Sequence, residues 1–200
     1  MSARIAFLRH GPTDWNAQHR LQGATDIGLS DAGRLAVANW TLPEPMAGWP
    51  RHTSPLGRAL ETAALIEPVA KFHAVDALRE MGFGAWEGQT LDALRRDDPE
   101  GLRRSESLGL DMTPPGGESP RAVMTRLAPW LREVAADGVD IVAIAHKGIV
   151  RVALAMATGW DMKSRQPLKL DWRALHVFRV DDAGTLAVDT LNVPLIGVGP

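Results

Sequence analysis

A chain of 200 residues is long enough for one compact domain with a sizeable core, and 45% hydrophobic with 23% charged residues is the balance of an ordinary soluble protein. A formal net charge of −2 excludes a global field that would gather nucleic acid or an anionic membrane, so an anionic ligand would need a local pocket. The lack of cysteine excludes disulfides and thiolate chemistry, and no apolar run reaches the length of a signal core or a membrane span, which together read as a cytoplasmic chain.

In chain order, Arg4–Leu8 reads as a short buried strand closed by Gly11 and Pro12. Ser30 is placed as the N-cap of a helix running to about Trp40. Ser54 and Pro55 read as N-cap and first helical position of a helix that reaches Ile66. Its residues Leu56, Leu60 and Ala63 face inward, with Arg58 and Thr62 on another face one turn apart. The middle, about residues 80–117, holds helical pieces at Leu91–Arg96 and Gly101–Leu108 and reads as a short cap-like insertion within a single domain. Ser119 and Pro120 open the clearest helix, with Val123, Leu127, Trp130, Leu131 and Val134 as its apolar stripe. Asp140–Ala145 is a second continuous apolar strand, suited to a sheet covered on both faces, and Gly148–Thr158 is a buried helix. The tail reads as a hairpin of Ala174–Val180 and Thr185–Leu191. The sum is an α/β fold with a mixed, mostly parallel central sheet flanked by helices.

Two histidines stand where such a fold places ligands, just past the carboxyl ends of strands. In Leu8-Arg9-His10-Gly11, a neutral imidazole is a competent nucleophile toward phosphorus and the arginine fork suits phosphate, while Gly11 permits close backbone approach to a ligand. In Ala145-His146-Lys147-Gly148, a helix opens on the histidine, and its first amides favour an anion. Arg58 in a first helical turn opposes the helix dipole, which an anion bound nearby would explain. In the stretch from Arg79 to Gly88, Glu80 and Glu87 compete as the carboxyl whose burial would raise its pKa and make it a proton donor; spacing leaves the choice open. No clustered carboxylates suit Mg²⁺ and no histidine pair suits zinc, so no metal and no cofactor are expected. His19, His52, His73 and His176 read as structural or solvent-facing.

The run Leu8-Arg9-His10-Gly11-Pro12-Thr13-Asp14-Trp15-Asn16 resembles the signature of the histidine phosphatase superfamily. The likeness continues through Leu21-Gln22-Gly23, Leu29-Ser30, Gly33, Ser54 to Thr62, Glu80 to Gly88, Gly116 to Ser119 and His146 to Arg151, in order along nearly the whole chain. The resemblance implies a phosphoglycerate mutase-like fold. It implies His10 as nucleophile, with Arg9, Arg58 and His146 clamping the phosphoryl oxygens. Asn16 would add a side-chain amide, and Glu80 rather than Glu87 would be the acid. Gln22, Gly23 and Lys147 fall within the matched blocks as substrate-binding candidates, although many members carry a small residue where Lys147 stands. Arg103 and Arg104 are loosely similar to substrate-binding arginines of the mutases, against the plainer reading of a solvated helix face. Look and length resemble the phosphatase branch, α-ribazole phosphatase included. The expectation is a metal-independent phosphomonoester hydrolase acting on a small phosphorylated metabolite. A mutase-type isomerase and a phospho-ligand binder without turnover are the alternatives; a homodimer is left open.

Overall fold

The computed structural model describes residues 2–68 and 71–197. Among them stands a sheet of six strands. These are β1 (Ala3–Arg9), β2 (Arg51–Thr53), β3 (Phe72–Ala74), β4 (Ile141–Ala145), β5 (Ala174–Val180) and β6 (Leu186–Pro194). The spatial order is β3-β2-β4-β1-β5-β6. The β3-β2, β2-β4 and β4-β1 pairings are parallel, and β1-β5 and β5-β6 are antiparallel, giving the mixed, mostly parallel sheet the sequence predicts.

Successive side chains of β1 enter opposite cores, which explains its unbroken apolar run. Ile5 and Phe7 pack with Ala143 and Ala145 of β4 against α6 (Pro120–Asp137) and α7 (Lys147–Thr158). Ala6 and Leu8 pack with Val142 and Ile144 against α2 (Asp31–Val37) and α3 (Gly57–Ile66). Phe7 is central, in edge-to-face contact with both Trp130 and Phe178. The stripe expected on the long helix is fully internal: Val123, Leu127, Trp130, Leu131 and Val134 are all buried. No helix among the described residues is long and apolar enough to cross a membrane.

Several local readings hold. Ser30 caps α2 by accepting from the Gly33 amide at 3.0 Å, although the helix stops at Val37, short of Trp40. Ser119 caps α6 with Pro120 in the first turn. The middle segment carries α4 (Leu91–Asp97) and α5 (Pro99–Glu106), close to the helical pieces predicted there. A four-residue helix α1 (Asp14–Ala17) follows β1, held by a capping box between Thr13 and Asn16.

One reading is corrected. Ser54 does not cap α3: the helix begins at Gly57 after Leu56, and the Ser54 hydroxyl, which accepts from the Leu56 amide at 3.3 Å, lies 2.7 Å from His146 Nε2. At Gly11 a Cβ would lie 2.3 Å from Val37 Cγ2, so the glycine also lets α2 pack against the strand end. The strands β2 and β3 went unread because three residues are too few for a period to show.

Candidate active site

The parallel register of β1 and β4 sets Arg9 opposite Ala145, so the residues that follow, His10 and His146, are brought together. The His10 amide donates to the Ala145 carbonyl at 2.9 Å, and the two imidazole centroids are 5.1 Å apart. His10 Nδ1 lies 2.7 Å from the Gly11 carbonyl oxygen, which can only accept, so Nδ1 carries the proton and Nε2 the lone pair. Burial, reinforced by the charges of Arg9 and Arg58, holds the His10 pKa well below the usual histidine range. The ring is therefore neutral at pH 7.

His146 is fully buried next to His10. Its Nε2 is 2.7 Å from Ser54 Oγ and its Nδ1 has no hydrogen-bond partner. Burial first, then His10, Arg58 and Arg9, keep it neutral too.

A cavity of about 880 Å³ opens over the carboxyl ends of β1 and β4. Arg9, His10, Asn16, Gln22, Gly23, Arg58, Glu80 and Lys147 are all among the residues that line it. Arg58 is 0% exposed as a residue; its two terminal nitrogens donate to the Thr25 and Gly23 carbonyls at 2.9 and 2.8 Å. Its Nε and that of Arg9 are buried without partners. Thr62, one turn on, accepts from the Gly11 amide at 2.9 Å and ties α3 to the loop that carries His10. Asn16 Oδ1 accepts from the Thr13 amide at 3.1 Å, which leaves the side-chain NH₂ as its other hydrogen-bonding group.

The two rival carboxylates separate cleanly. Glu80 is 7% exposed and lines the cavity, accepting from the Met81 amide at 2.9 Å and the Gly148 amide at 3.1 Å. Burial pushes its pKa up against the pull of those amides and of Arg58 and Arg9. Glu87 accepts from the Ala24, Thr25 and Phe83 amides, each at 2.9 Å, and from the Thr25 hydroxyl. Burial works to raise Glu87, but these donors outweigh it and hold the pKa below the usual value. Glu87 thus braces the Gly23–Thr25 loop beneath Arg58. A Cβ on Gly23, which has φ +57°, would meet Glu87 Oε1 at 2.1 Å.

Behind Glu80 a further clamp appears. Arg126 of α6 donates to the Arg79 and Glu80 carbonyls at 2.6 and 3.3 Å, and also to the Ala77 carbonyl at 2.5 Å. It is paired at 3.0 Å with Glu118, which accepts from the Gly82 amide at 3.0 Å. The backbone on both sides of Glu80 is thereby fixed.

Arg103 and Arg104 are not brought to this cavity. They lie exposed on α5, Arg104 3.7 Å from Glu100, on the solvated face that was the plainer reading. Conversely, the cavity wall includes Arg20, Arg95, Arg151 and Lys163, which the sequence reading did not select, and His19, which it set aside as structural or solvent-facing. Arg151 had a usable signal: α7 is apolar apart from it, Lys147 and the terminal Thr158. Of the remaining histidines, His52 accepts from Trp130 Nε1 at 3.0 Å and buried His176 accepts from the Asn192 amide at 3.3 Å, both structural. No group of three or more His, Cys, Asp or Glu that could hold a metal ion occurs among the described residues.

The chain is similar to known proteins in sequence and in fold. Over 191 residues the chain is 31% identical to phosphoglycerate mutase-like protein 4 of Arabidopsis thaliana, covering 90% of this chain and 80% of the relative. It is 33% identical over 168 residues to glucosyl-3-phosphoglycerate phosphatase of Mycolicibacterium vanbaalenii, covering 78% and 74%. The fold matches a mycobacterial glucosyl-3-phosphoglycerate phosphatase structure with a TM-score of 0.79 at 24% identity, over 96% of this chain and all of that one. Residues 5–193 match the histidine phosphatase superfamily (branch 1), and the chain is an enzyme belonging to that family.

Proposed function

We propose that the chain is a metal-independent phosphomonoester hydrolase working through a phosphohistidine on His10, with a small phosphorylated metabolite as substrate. The observation that carries this is the His10 Nδ1–H bond to the Gly11 carbonyl, which fixes the tautomer and leaves Nε2 as the nucleophile beside Arg9 and Arg58.

In the first step the Nε2 lone pair forms a bond to phosphorus as the ester P–O bond breaks, and the Glu80 carboxyl gives its proton to the departing oxygen. In the second, water attacks the phosphohistidine, Glu80 as carboxylate takes the water proton, and the P–N bond breaks with its electron pair returning to Nε2. The raised pKa of Glu80 suits both duties. Arg9, Arg58, His146 and the Asn16 amide supply fixed positive charge and donors to the equatorial phosphoryl oxygens. Gln22, Gly23 and Lys147 line the cavity as substrate-binding residues.

Single-turnover labelling with a ³²P-phosphomonoester in the presence of chelator tests this reading. An acid-labile, base-stable label is expected on the wild type and none on His10→Ala. The same label on a folded His10→Ala protein would overturn the assignment.

A further inference from the structure

Lys147 opens α7 and lines the cavity, and a lysine there has a long, rotamer-rich stem whose end must be fixed before it can serve a ligand. An indole meets that end: Nζ is 5.0 Å from the Trp172 ring centroid. The electron-rich ring face attracts the cation, while the charges of Arg9 and Arg151 repel it. Burial first, then those two arginines, lower the Lys147 pKa, with Glu80 pulling the other way.

Trp172 is fixed in turn by groups on two strands. Asn192 of β6 accepts from the Asp171 amide on Oδ1 at 2.6 Å and donates from Nδ2 to the Lys169 carbonyl at 3.0 Å, so one side chain ties both neighbours of Leu170. Asp171 closes the turn around Trp172: its Oδ1 accepts from the Arg173 amide at 3.0 Å and its carbonyl from the Ala174 amide at 3.1 Å. His176 of β5 stands edge-to-face with the indole, ring centroids 6.3 Å apart. A β-bulge brings Asn192 to this place. Leu175 pairs with Val193 and Val177 with Thr190, so His176 alone opposes Leu191 and Asn192. Asn192 takes φ +59°, a left-handed conformation that asparagine tolerates better than most residues, and its amide donates to His176 Nδ1 at 3.3 Å. Bulges re-aim side chains, and this one aims an amide at the segment that carries Trp172.

We propose that Trp172, braced by Asn192 and His176, is a positioning residue: it holds the Lys147 ammonium where it meets the bound phosphomonoester. The proposal rests on the phosphatase reading above, which makes Lys147 a substrate-binding residue, and the experiment separates the two.

The protein is labelled with ¹³C at lysine Cε, and the Lys147 signal is identified by its loss in Lys147→Met. The expected result is a signal shifted upfield by the indole ring current. It should return to the ordinary lysine position in Trp172→Leu and keep most of its shift in Trp172→Phe. Asn192→Gly, which adopts φ +59° freely and deletes only the side-chain amide, should lose part of the shift. Turnover of p-nitrophenyl phosphate should follow: KM rises about three- to tenfold in Trp172→Leu with kcat within about twofold, and Trp172→Phe recovers most of the loss. The alkaline limb of kcat/KM should move to lower pH in Trp172→Leu, because the ammonium loses the ring face that favours it. Adding Trp172→Leu to Lys147→Met should cost nothing further. An unshifted Lys147 signal in the wild type, or effects of the two substitutions that multiply in the double variant, would overturn the proposal. A folded Trp172→Leu protein with the wild-type KM and alkaline limb would do the same. Failure of the wild type to turn over any phosphomonoester would strike the hydrolase reading. The lysine signal, and a calorimetric affinity for inorganic phosphate that weakens in Trp172→Leu, would still decide the role of Trp172.

Discussion

The Gly148 amide donates to Glu80 Oε2 at 3.1 Å, and a Cβ added to Gly148 would lie 2.3 Å from Glu80 Oε1. The first turn of α7 therefore both binds the carboxylate and requires a glycine to let it approach. Gly148→Ala should displace Glu80 and lower kcat on alkyl phosphates about 10²-fold. Helix propensity favours alanine by about 1 kcal/mol, so the melting temperature should hold or rise. Activity lost with stability kept is the signature; wild-type kcat in a folded Gly148→Ala protein would sink it.

Glu80→Gln should slow alkyl phosphates by about 10²- to 10⁴-fold and p-nitrophenyl phosphate less, because an activated leaving group needs less protonation. Glu87→Gln should instead cost stability through the Gly23–Thr25 loop. If Glu87→Gln alone abolishes turnover with the fold intact, the carboxylates have been assigned the wrong way round.

The pH dependence of stability carries two opposite signs. Glu80 has a raised folded-state pKa, so its contribution is present below the usual carboxylate value and is lost as pH rises through the folded value. His10 and His146 have depressed values, so theirs is present above the usual histidine value and lost as pH falls. Glu80→Gln removes only the first effect. The difference in melting temperature between Glu80→Gln and wild type should therefore move in favour of the variant as pH rises from about 4 to 8. A difference flat in pH would mean that Glu80 titrates alike in the folded and unfolded chains.

Arg126→Met removes the clamp on the Arg79 and Glu80 carbonyls and strands Glu118. Charge-assisted bonds of this kind contribute about 1.5–3 kcal/mol each, so a clear fall in melting temperature is expected. Because the backbone of Glu80 loosens, kcat should fall more than KM rises, and Arg126→Lys should recover only part of both. A pH–rate profile unchanged in shape and height would reduce Arg126 to a purely structural residue.

Much of this arrangement was legible because the signals were local. His10 and His146 each follow a short apolar strand, and such strands end at the ligand edge of a parallel sheet. What sequence could not supply was the pairing. Ser54 looked like a helix cap because Ser-Pro is cap chemistry, yet in space its hydroxyl is nearest His146, 92 positions away. Glu80 and Glu87 lie close together in sequence, yet Glu80 accepts from the Gly148 amide across the fold while Glu87 accepts from the Ala24 and Thr25 amides, which spacing does not reveal. Arg103 and Arg104 had the right charge, but α5 presents Leu102 inward and the arginines outward. Arg151 is the second cation, one turn after Lys147, on a helix that is otherwise almost wholly apolar, a local signal that does not say which way the side chain points.

Net hydrolysis rather than isomerisation is the last expectation. A mutase must hold its dephosphorylated intermediate and keep water away until the phosphoryl group returns. That requires contacts that retain the intermediate and a cavity closed around it. The arginine pair once considered for such contacts, Arg103 and Arg104, lies outside the cavity on the exposed face of α5, so Arg103→Ala with Arg104→Ala should leave kcat/KM within about twofold. The cavity wall that α4 and α5 contribute, with Leu91, Asp92, Arg95, Leu102 and Glu106, borders a space of about 880 Å³, ample for water beside a small phosphoester. The phosphohistidine should therefore be hydrolysed as fast as it forms or nearly so. Supplying 3-phosphoglycerate primed with 2,3-bisphosphoglycerate and following both products decides the matter. Phosphate release without 2-phosphoglycerate, or turnover of other phosphomonoesters only, is the expected outcome. Formation of 2-phosphoglycerate far faster than phosphate release would make the enzyme a mutase, and its loss in the double arginine variant would bring α5 into the reaction.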